Sequence, residues 1–158
     1  DMSTLVAYPS SKESECFEIP PSVEVIASGA FRGAHELTCV KIGKNVRTIE
    51  YQAFARAYSI ERIYVDENVQ SIEYLFMETE DLDLYISYRT DLVIGGATGS
   101  NIEHWCYENA VRFCPLDDSQ AEDFLASSNW NKAVPPLDED KCLECYERRF
   151  EEAGFEYE

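Results

Sequence analysis

Residues 16–38 read CFEIPPSVEVIASGAFRGAHELT, residues 39–61 read CVKIGKNVRTIEYQAFARAYSIE, and residues 62–83 read RIYVDENVQSIEYLFMETEDLD. When these segments are aligned at a spacing of about 23 residues, their apolar positions fall into columns of matching residue type. The columns are Phe17, Val40 and Ile63; Ile19, Ile42 and Val65; Val23, Val46 and Val69; Ile26, Ile49 and Ile72; and the pairs Ala30-Phe31, Ala53-Phe54 and, after a one-residue deletion, Leu75-Phe76. Chance does not produce five matched columns, so the segments are repeats of one structural unit.

Each unit opens with a short segment in which apolar and polar residues alternate, as in Val40, Lys41 and Ile42. This alternation predicts a β-strand with one buried face. The second half of the unit is too short and irregular for a full helix, so we expect a turn and a brief helical or extended arc. One unit cannot bury its own apolar side, whereas stacked units form a continuous core. The repeats therefore predict an α/β solenoid with a sheet of short strands.

Two of the repeat segments carry a family resemblance. IPPSVEVIASGAF at residues 19–31 and IGKNVRTIEYQAF at residues 42–54 resemble the BspA-like branch of the leucine-rich repeat proteins. That repeat combines a strand, a proline, a valine-x-x-isoleucine and an alanine-phenylalanine pair. STLVAYPSSKESECFEIP at residues 3–20 resembles the usual entry into such an array, and IGGATGSNIEHWCYENAVRF at residues 94–113 resembles its exit. The resemblance implies a concave sheet and a leucine-rich repeat domain with terminal caps over residues 1–114.

The segment that follows the repeats is predicted to close the array. Residues 82–86 are expected to form a fourth strand and residues 92–94 a further short one, followed by a glycine-rich turn at residues 95–99. Ser100 and Glu103 form a capping box, which predicts a helix ending near residue 109. Its inward residues are Ile102, Trp105 and Cys106, and a terminal strand with Val111 and Phe113 is expected after it.

Residues 115–158 are predicted to form an acidic, mainly helical extension, because Asp and Glu outnumber Lys and Arg there by 13 to 4. A first helix is expected to open at Asp118 or Ser119, because a capping box at residues 119–122 precedes Phe124 and Leu125. A second helix is expected over residues 139–153, with Leu143, Tyr146 and Phe150 at helical spacing. The extension either packs on the solenoid or binds a partner, including a second copy of the chain.

The composition is strongly acidic, with a formal net charge of -18 at pH 7. Such a surface repels nucleic-acid phosphates and anionic lipid headgroups, so neither is expected as a direct partner. Basic proteins, cationic peptides and divalent ions are compatible with it, and solubility alone also explains the acidity. No stretch approaches the length of about 18 apolar residues that a membrane span needs. A leader or an upstream repeat could have been removed before Asp1.

Six cysteines are present, but their spacing does not resemble a small disulfide scaffold. Cys16 and Cys39 occupy equivalent positions in neighbouring units. Since adjacent strands lie about 4.8 Å apart, a disulfide between these two residues is geometrically allowed. Two stacked free thiols are the alternative, because adjacent parallel strands rarely offer the right Cβ geometry.

The outward side of the strands is the candidate binding surface, because alternation places the polar residue of each strand there. One row contains Glu18, Lys41, Tyr64 and Tyr85, with Cys16, Cys39 and Arg62 beside it. Tyrosine and arginine are enriched where binding energy concentrates, although β-propensity alone also explains strand tyrosines. The candidate ligand-binding residues are Glu18, Lys41, Arg62, Tyr64, Tyr85 and Tyr88.

Catalytic and metal-binding patterns are weak. His35 and His104 lie on different elements and belong to no recognisable catalytic motif. Cys142 and Cys145 form a CxxC pair, but no second pair or histidines complete a tetrahedral zinc site. Nearby acidic residues also disfavour the thiolate, so this pair is only a weak metal candidate. The sequence predicts neither an enzyme nor a cofactor.

The leading hypothesis is a non-enzymatic repeat module that binds a protein or glycan through its strand face. The alternative is an intracellular scaffold or assembly protein that docks a partner or a second copy through its acidic helical tail. A metal- or redox-active tail ranks third. The family resemblance implies a bacterial protein, secreted or displayed at the cell surface, with adhesion as the usual suggestion. A cytoplasmic location is the alternative.

Overall fold

A computed structural model describes residues 3–9, 15–76, 92–109 and 111–126 of the chain. Its strands are β1 (Thr4–Leu5), β2 (Cys16–Glu18), β3 (Val25–Ile26), β4 (Cys39–Ile42), β5 (Thr48–Ile49), β6 (Arg62–Val65), β7 (Ser71–Ile72), β8 (Val93–Gly96) and β9 (Arg112–Pro115). Its helices are α1 (Asn101–Glu108) and α2 (Ala121–Ala126), and a 3-10 turn spans Asp118–Gln120 immediately before α2.

The strands form two parallel sheets, one in the order β1-β3-β5-β7 and the other in the order β2-β4-β6-β8-β9. Each repeat contributes one strand to each sheet, and the register follows the repeat spacing. Cys16 pairs with Cys39, which in turn pairs with Arg62. The predicted leucine-rich repeat solenoid is therefore confirmed, with the first half of each unit in one sheet and the second half in the other.

The core lies between the two sheets and is built from the matched columns. The phenylalanines of the alanine-phenylalanine column pack on one another: Phe31 and Phe54 stack with ring centroids 4.7 Å apart, and Phe54 and Phe76 are tilted with centroids 5.8 Å apart. Tyr8 extends this column at the N-terminal end, with its ring 5.4 Å from that of Phe31. Each turn therefore buries its apolar side against the next turn, as the sequence repeat requires.

The turns that follow β3 and β5 share one backbone shape. Gly29 and Gln52, which are one repeat apart, both have a positive φ, at 67° and 57°. Gly33 and Arg56 repeat this relation at 70° and 55°. Only glycine adopts this region without steric cost, so stacking holds Gln52 and Arg56 there. Backbone hydrogen bonds between successive turns, such as the amide of Phe31 donating to the carbonyl of Ala53 at 2.7 Å, provide the restraint.

Helix α1 covers the C-terminal end of the stack, as predicted. The Ser100 side chain accepts a hydrogen bond from the amide of Glu103, which fixes the start of the helix. Ile102, Trp105 and Cys106 are buried, as expected for the inward side. A Cβ atom added at Gly96 would lie 2.8 Å from Cγ2 of Ile102 and 2.9 Å from the carbonyl oxygen of Val65, so this close packing depends on glycine.

The strand that pairs with β6 differs from the prediction. Residues 82–86 were expected there and lie outside the described residues, whereas the observed neighbour is β8. Gly95 and Gly96 belong to this strand, so the predicted glycine-rich turn is shorter than expected. Strand β9 then pairs with β8, and the predicted terminal strand is confirmed.

The first helix of the acidic extension is present, and the helical turn that leads into it starts at Asp118, the earlier of the two predicted positions, with Asp117 as its cap. The amide of Asp117 donates to Oε1 of Gln120 at 3.0 Å, so the cap begins two residues before Ser119. The 3-10 turn then leads into α2. The predicted second helix over residues 139–153 lies outside the described residues, and the division between residues 114 and 115 stays a prediction.

Candidate binding surface on the strand face

The strand face is the outward side of the sheet formed by β2, β4, β6, β8 and β9. Its central row, fixed by the strand register, is Glu18, Lys41, Tyr64, Gly95 and Cys114. The neighbouring row is Cys16, Cys39, Arg62, Val93 and Arg112. Gly95 therefore occupies the position beside Tyr64 that the sequence assigned to Tyr85. Tyr85 and Tyr88 lie outside the described residues.

The C-terminal part of the strand face is covered by the segment after β9. Leu116, Ala121, Phe124 and Leu125 form a buried apolar cluster with Cys39, Tyr64, Val93 and Cys114. Arg62 and Tyr64 are only 7% and 2% exposed. The expectation that they lie on an open surface is therefore wrong, because α2 packs over them. We call Cys39, Arg62, Tyr64, Val93, Gly95 and Cys114 the covered half of the strand face.

Gly95 provides the space for this packing. A Cβ atom added at Gly95 would lie 3.1 Å from Cε1 of Phe124 and 3.2 Å from Cδ2 of Leu116. The Phe124 ring, which is fully buried, therefore packs directly against the backbone of β8. The apolar side chains of Phe124 and Leu125 indicate that this helix must pack against another surface. The space at Gly95 shows where on the sheet it packs.

Arg62 links the covered half to α2 through one hydrogen bond. Its Nε donates to the carbonyl oxygen of Leu125 at 3.2 Å. Its Nη1 lies 3.5 Å from Oε2 of Glu61, but the geometry of this ion pair is not that of a hydrogen bond. Within the described part of the chain, Nη1 of Arg62 is therefore a buried donor without an acceptor. Such groups are rare in folded proteins because an unpaired buried donor is costly.

Cys16, Glu18 and Lys41 form the open half of the strand face. Cys16 and Glu18 are exposed, and the Lys41 side chain is half-buried. Nζ of Lys41 lies 2.9 Å from Oε1 of Glu122 and 3.7 Å from Oε1 of Glu18. The hydrogen bond to Glu122 is the largest cause that raises the pKa of Lys41. Lys41 is therefore charged at neutral pH and bridges strand β2 and helix α2.

A groove separates the open half from α2. Its volume is about 370 Å³, and its lining includes the strand residues Cys16, Glu18, Lys41 and Arg62, Thr38 immediately before β4, and the helix residues Glu122 and Leu125. The structure thus brings together three of the six predicted ligand-binding residues, Glu18, Lys41 and Arg62. Sequence reasoning missed Thr38, Glu122 and Leu125, because the helix residues come from a segment that was assigned to a separate extension.

Cys16 and Cys39 face each other across neighbouring strands. Their Cα atoms are 4.6 Å apart, and their sulfur atoms are in bonding contact. This placement is the one that a disulfide between the two repeats requires. The pair lines the groove together with Thr38 and Arg62.

Burial changes the chemistry of Tyr64. It is the largest cause that raises the pKa of this phenol to about 12, and the carboxylates of Asp66 and Asp118 act in the same direction. Burial also raises the pKa of the Cys114 thiol, against the opposing charge of Arg112. Both groups are therefore neutral at pH 7 and contribute packing rather than charge to the covered half.

The described part of the chain brings no further candidate groups together into a metal site. No group of three or more histidine, cysteine, aspartate or glutamate residues that could hold a metal occurs among the described residues. Cys142 and Cys145 lie outside those residues. None of the described helices has the length and apolar character needed to cross a lipid bilayer.

Comparison with known proteins identifies the repeats. Residues 7–92, which make up more than half of the chain, match the BspA type leucine rich repeat region in 6 copies. No curated protein matches the chain significantly. No solved structure matches it significantly either. The matched columns, the stacked parallel strands and this match agree, and the chain belongs to the BspA-type leucine-rich repeat family.

Proposed function

We propose that this chain is a non-enzymatic module that binds a protein ligand at the groove beside the open half of its strand face. Leucine-rich repeat proteins are generally binding scaffolds, which supports a binding role for this chain. The groove is the part of the strand face where polar side chains from both the sheet and α2 are within reach of a ligand.

The observation that carries this proposal is that Nη1 of Arg62, although 3.5 Å from Oε2 of Glu61, makes no hydrogen bond to any described residue. Arg62 is 7% exposed and lines the groove, and its Nη1 makes no hydrogen bond within the described residues. Nη1 itself has almost no exposed surface, so a ligand oxygen, either a main-chain carbonyl or a carboxylate, would satisfy this donor only after the Arg62 side chain or α2 shifts to admit it. Because a hydrogen bond to a charged group contributes about 1.5–3 kcal/mol, this contact would favour a ligand that offers such an acceptor.

A displayed peptide library provides the test. Peptides are selected on the wild-type chain, and their affinities are then measured for Arg62→Gln and Lys41→Ala by isothermal titration calorimetry. The matched control is Lys44→Ala, because Lys44 is exposed and lies outside this groove. Arg62→Gln should weaken binding about tenfold or more, since it removes a charged donor. Circular dichroism confirms that each variant is folded.

The proposal is contradicted if selected peptides bind wild type and Arg62→Gln with equal affinity, or if Lys44→Ala weakens them as much as Lys41→Ala. A ligand that binds elsewhere on the chain would give this result. A glycan ligand, adhesion and self-association through residues 115–158 stay predictions from the sequence.

A further inference from the structure

A second groove lies between α1 and the segments that follow β5 and β7. It shares no lining residue with the strand-face groove. Its volume is about 390 Å³. Three aromatic side chains line it, Tyr51, Tyr74 and Trp105, together with the carboxylate residues Glu73 and Glu108. No lysine or arginine is present among the described residues that line it.

Hydrogen bonds hold the walls of this groove in place. Nε1 of Trp105 donates to the carbonyl oxygen of Glu73 at 3.1 Å, which ties the indole of α1 to the turn after β7. Nδ2 of Asn101 donates to the carbonyl oxygen of Val69 at 3.0 Å and fixes the start of the same helix. Nδ2 of Asn109 donates to the carbonyl oxygen of Trp105 at 2.8 Å at its end. The indole therefore has a fixed orientation before any ligand binds.

The two tyrosines, Tyr51 and Tyr74, form a corner in the lining of this groove. The rings of Tyr51 and Tyr74 are perpendicular, with an interplanar angle of 88° and a centroid distance of 6.3 Å. Tyr51 is 41% exposed, so part of its ring is open to a ligand. A perpendicular pair presents ring faces in two directions, which suits a ligand group that enters between them.

The charges identify the kind of group that fits. Glu73 and Glu108 add negative charge beside the ring faces, and Oε1 of Glu108 is oriented by Nε2 of His104 at 3.1 Å. A cation gains from both features, because aromatic faces are negative and carboxylates pair with it. The net charge of -18 also attracts basic partners to the chain as a whole.

From these observations we propose that this groove binds a cationic side chain, an arginine or a lysine, of a basic partner peptide. The cation lies against the exposed ring of Tyr51, beside the largely buried indole of Trp105, and pairs with Glu108. This site is separate from the strand-face groove and does not depend on the function proposed above.

Tryptophan fluorescence tests the proposal directly. In a Trp130→Phe background Trp105 is the one remaining tryptophan. The probe is a short acetylated and amidated peptide that contains arginine or lysine, and the control peptide carries neutral citrulline or norleucine at the same positions. The variants are Tyr51→Ala and Glu108→Gln. Their matched controls are Tyr58→Ala, which changes an exposed tyrosine outside this groove, and Glu36→Gln, which removes an exposed carboxylate elsewhere.

We expect the cationic peptide to change Trp105 fluorescence saturably, with Tyr51→Ala and Glu108→Gln each weakening binding about three- to fivefold. Tyr58→Ala, Glu36→Gln and Arg62→Gln should bind like the parent protein. The proposal is overturned if the neutral peptide binds equally well, if Glu36→Gln weakens binding as much as Glu108→Gln, or if folded protein shows no saturable response to the cationic peptide.

Discussion

The open and covered halves of the strand face share one sheet and one register. Helix α2 packs over most of the covered half and leaves most of the open half uncovered. The open half presents Glu18 and Lys41, whose charges favour water and ion pairs at the groove edge. The covered half presents Tyr64, Gly95 and Cys114 in the same row. Charged positions keep one end of the sheet hydrated, and the tyrosine, glycine and cysteine form a surface on which Phe124 packs.

This difference shows that a solenoid face can be divided by the segment that follows the repeats. The repeat itself places every member of the row outward, whereas the size and charge of each member determine whether a later helix covers it. The following predictions change one half at a time and compare it with the other.

The largest effect is expected for Phe124→Ala. Phe124 is fully buried, and truncation of a buried phenylalanine costs about 3–5 kcal/mol of unfolding free energy. Urea denaturation measures this loss. Glu18→Ala in the open half serves as the comparison and should change stability by no more than about 0.5 kcal/mol. A loss below about 1 kcal/mol for Phe124→Ala would mean that α2 contributes little to the fold.

A smaller effect is expected for Gly95→Val, which places a branched side chain against Phe124 and Leu116. Overpacking of this kind costs about 1–3 kcal/mol. Gly43 is the matched control, because a Cβ atom added there meets no atom within 4 Å. Thermal unfolding of the two variants distinguishes the halves: equal changes for Gly95→Val and Gly43→Val would show that space on the covered half is not limiting.

Alkaline pH should weaken the covered half through Tyr64. Its pKa in the folded protein is about 12, above the value of about 10 for an exposed phenol. The unfolded chain therefore loses this proton first, and the stability associated with neutral Tyr64 is present below pH 10 and falls as the pH rises to about 12. We expect a loss of about 1–2 kcal/mol over this range. The difference in unfolding free energy between wild type and Tyr64→Phe, measured by denaturation at each pH, isolates this loss. If both proteins lose the same stability as the pH rises, burial of the phenol is contradicted.

The smallest effect is expected at the edge between the halves. Glu122→Gln removes the 2.9 Å ion pair with Lys41. Because Glu122 is largely exposed, the unfolding free energy should fall by less than about 1 kcal/mol, and by less at high salt. Urea denaturation at two salt concentrations measures this change. A larger, salt-independent loss would show that Glu122 has a packing role.

Much of the fold could be predicted because it depends on local patterns that repeat. The matched columns predict the register of Cys16 with Cys39, and Ser100 with Glu103 predicts the start of α1. The partner of β6 could not be predicted in the same way. Residues 82–86 and 92–94 both contain short apolar segments, and local alternation does not determine which one completes a parallel sheet.

The exposure of Arg62 and Tyr64 could not be predicted for a related reason. Alternation shows that a side chain points away from the core, but it does not show whether a distant segment covers it. Phe124 lies about 60 residues after Tyr64 in the chain, and its contact depends on the space left by Gly95. A glycine inside a strand indicates close approach of another group, but the sequence pattern placed Gly95 in a turn, and the structure was needed to place it in β8.

Nuclear Overhauser spectroscopy tests the central claim, that α2 packs on the covered half of the strand face. The ring carbon Cε1 of Phe124 lies 3.1 Å from the position of a Cβ atom built on Gly95, so the ring protons and the Gly95 α-protons must be close. The account predicts strong cross-peaks between them, together with ring-current shifts of the Gly95 α-protons. Absence of these cross-peaks in the folded protein, with Gly95 shifts typical of an exposed strand, would contradict it.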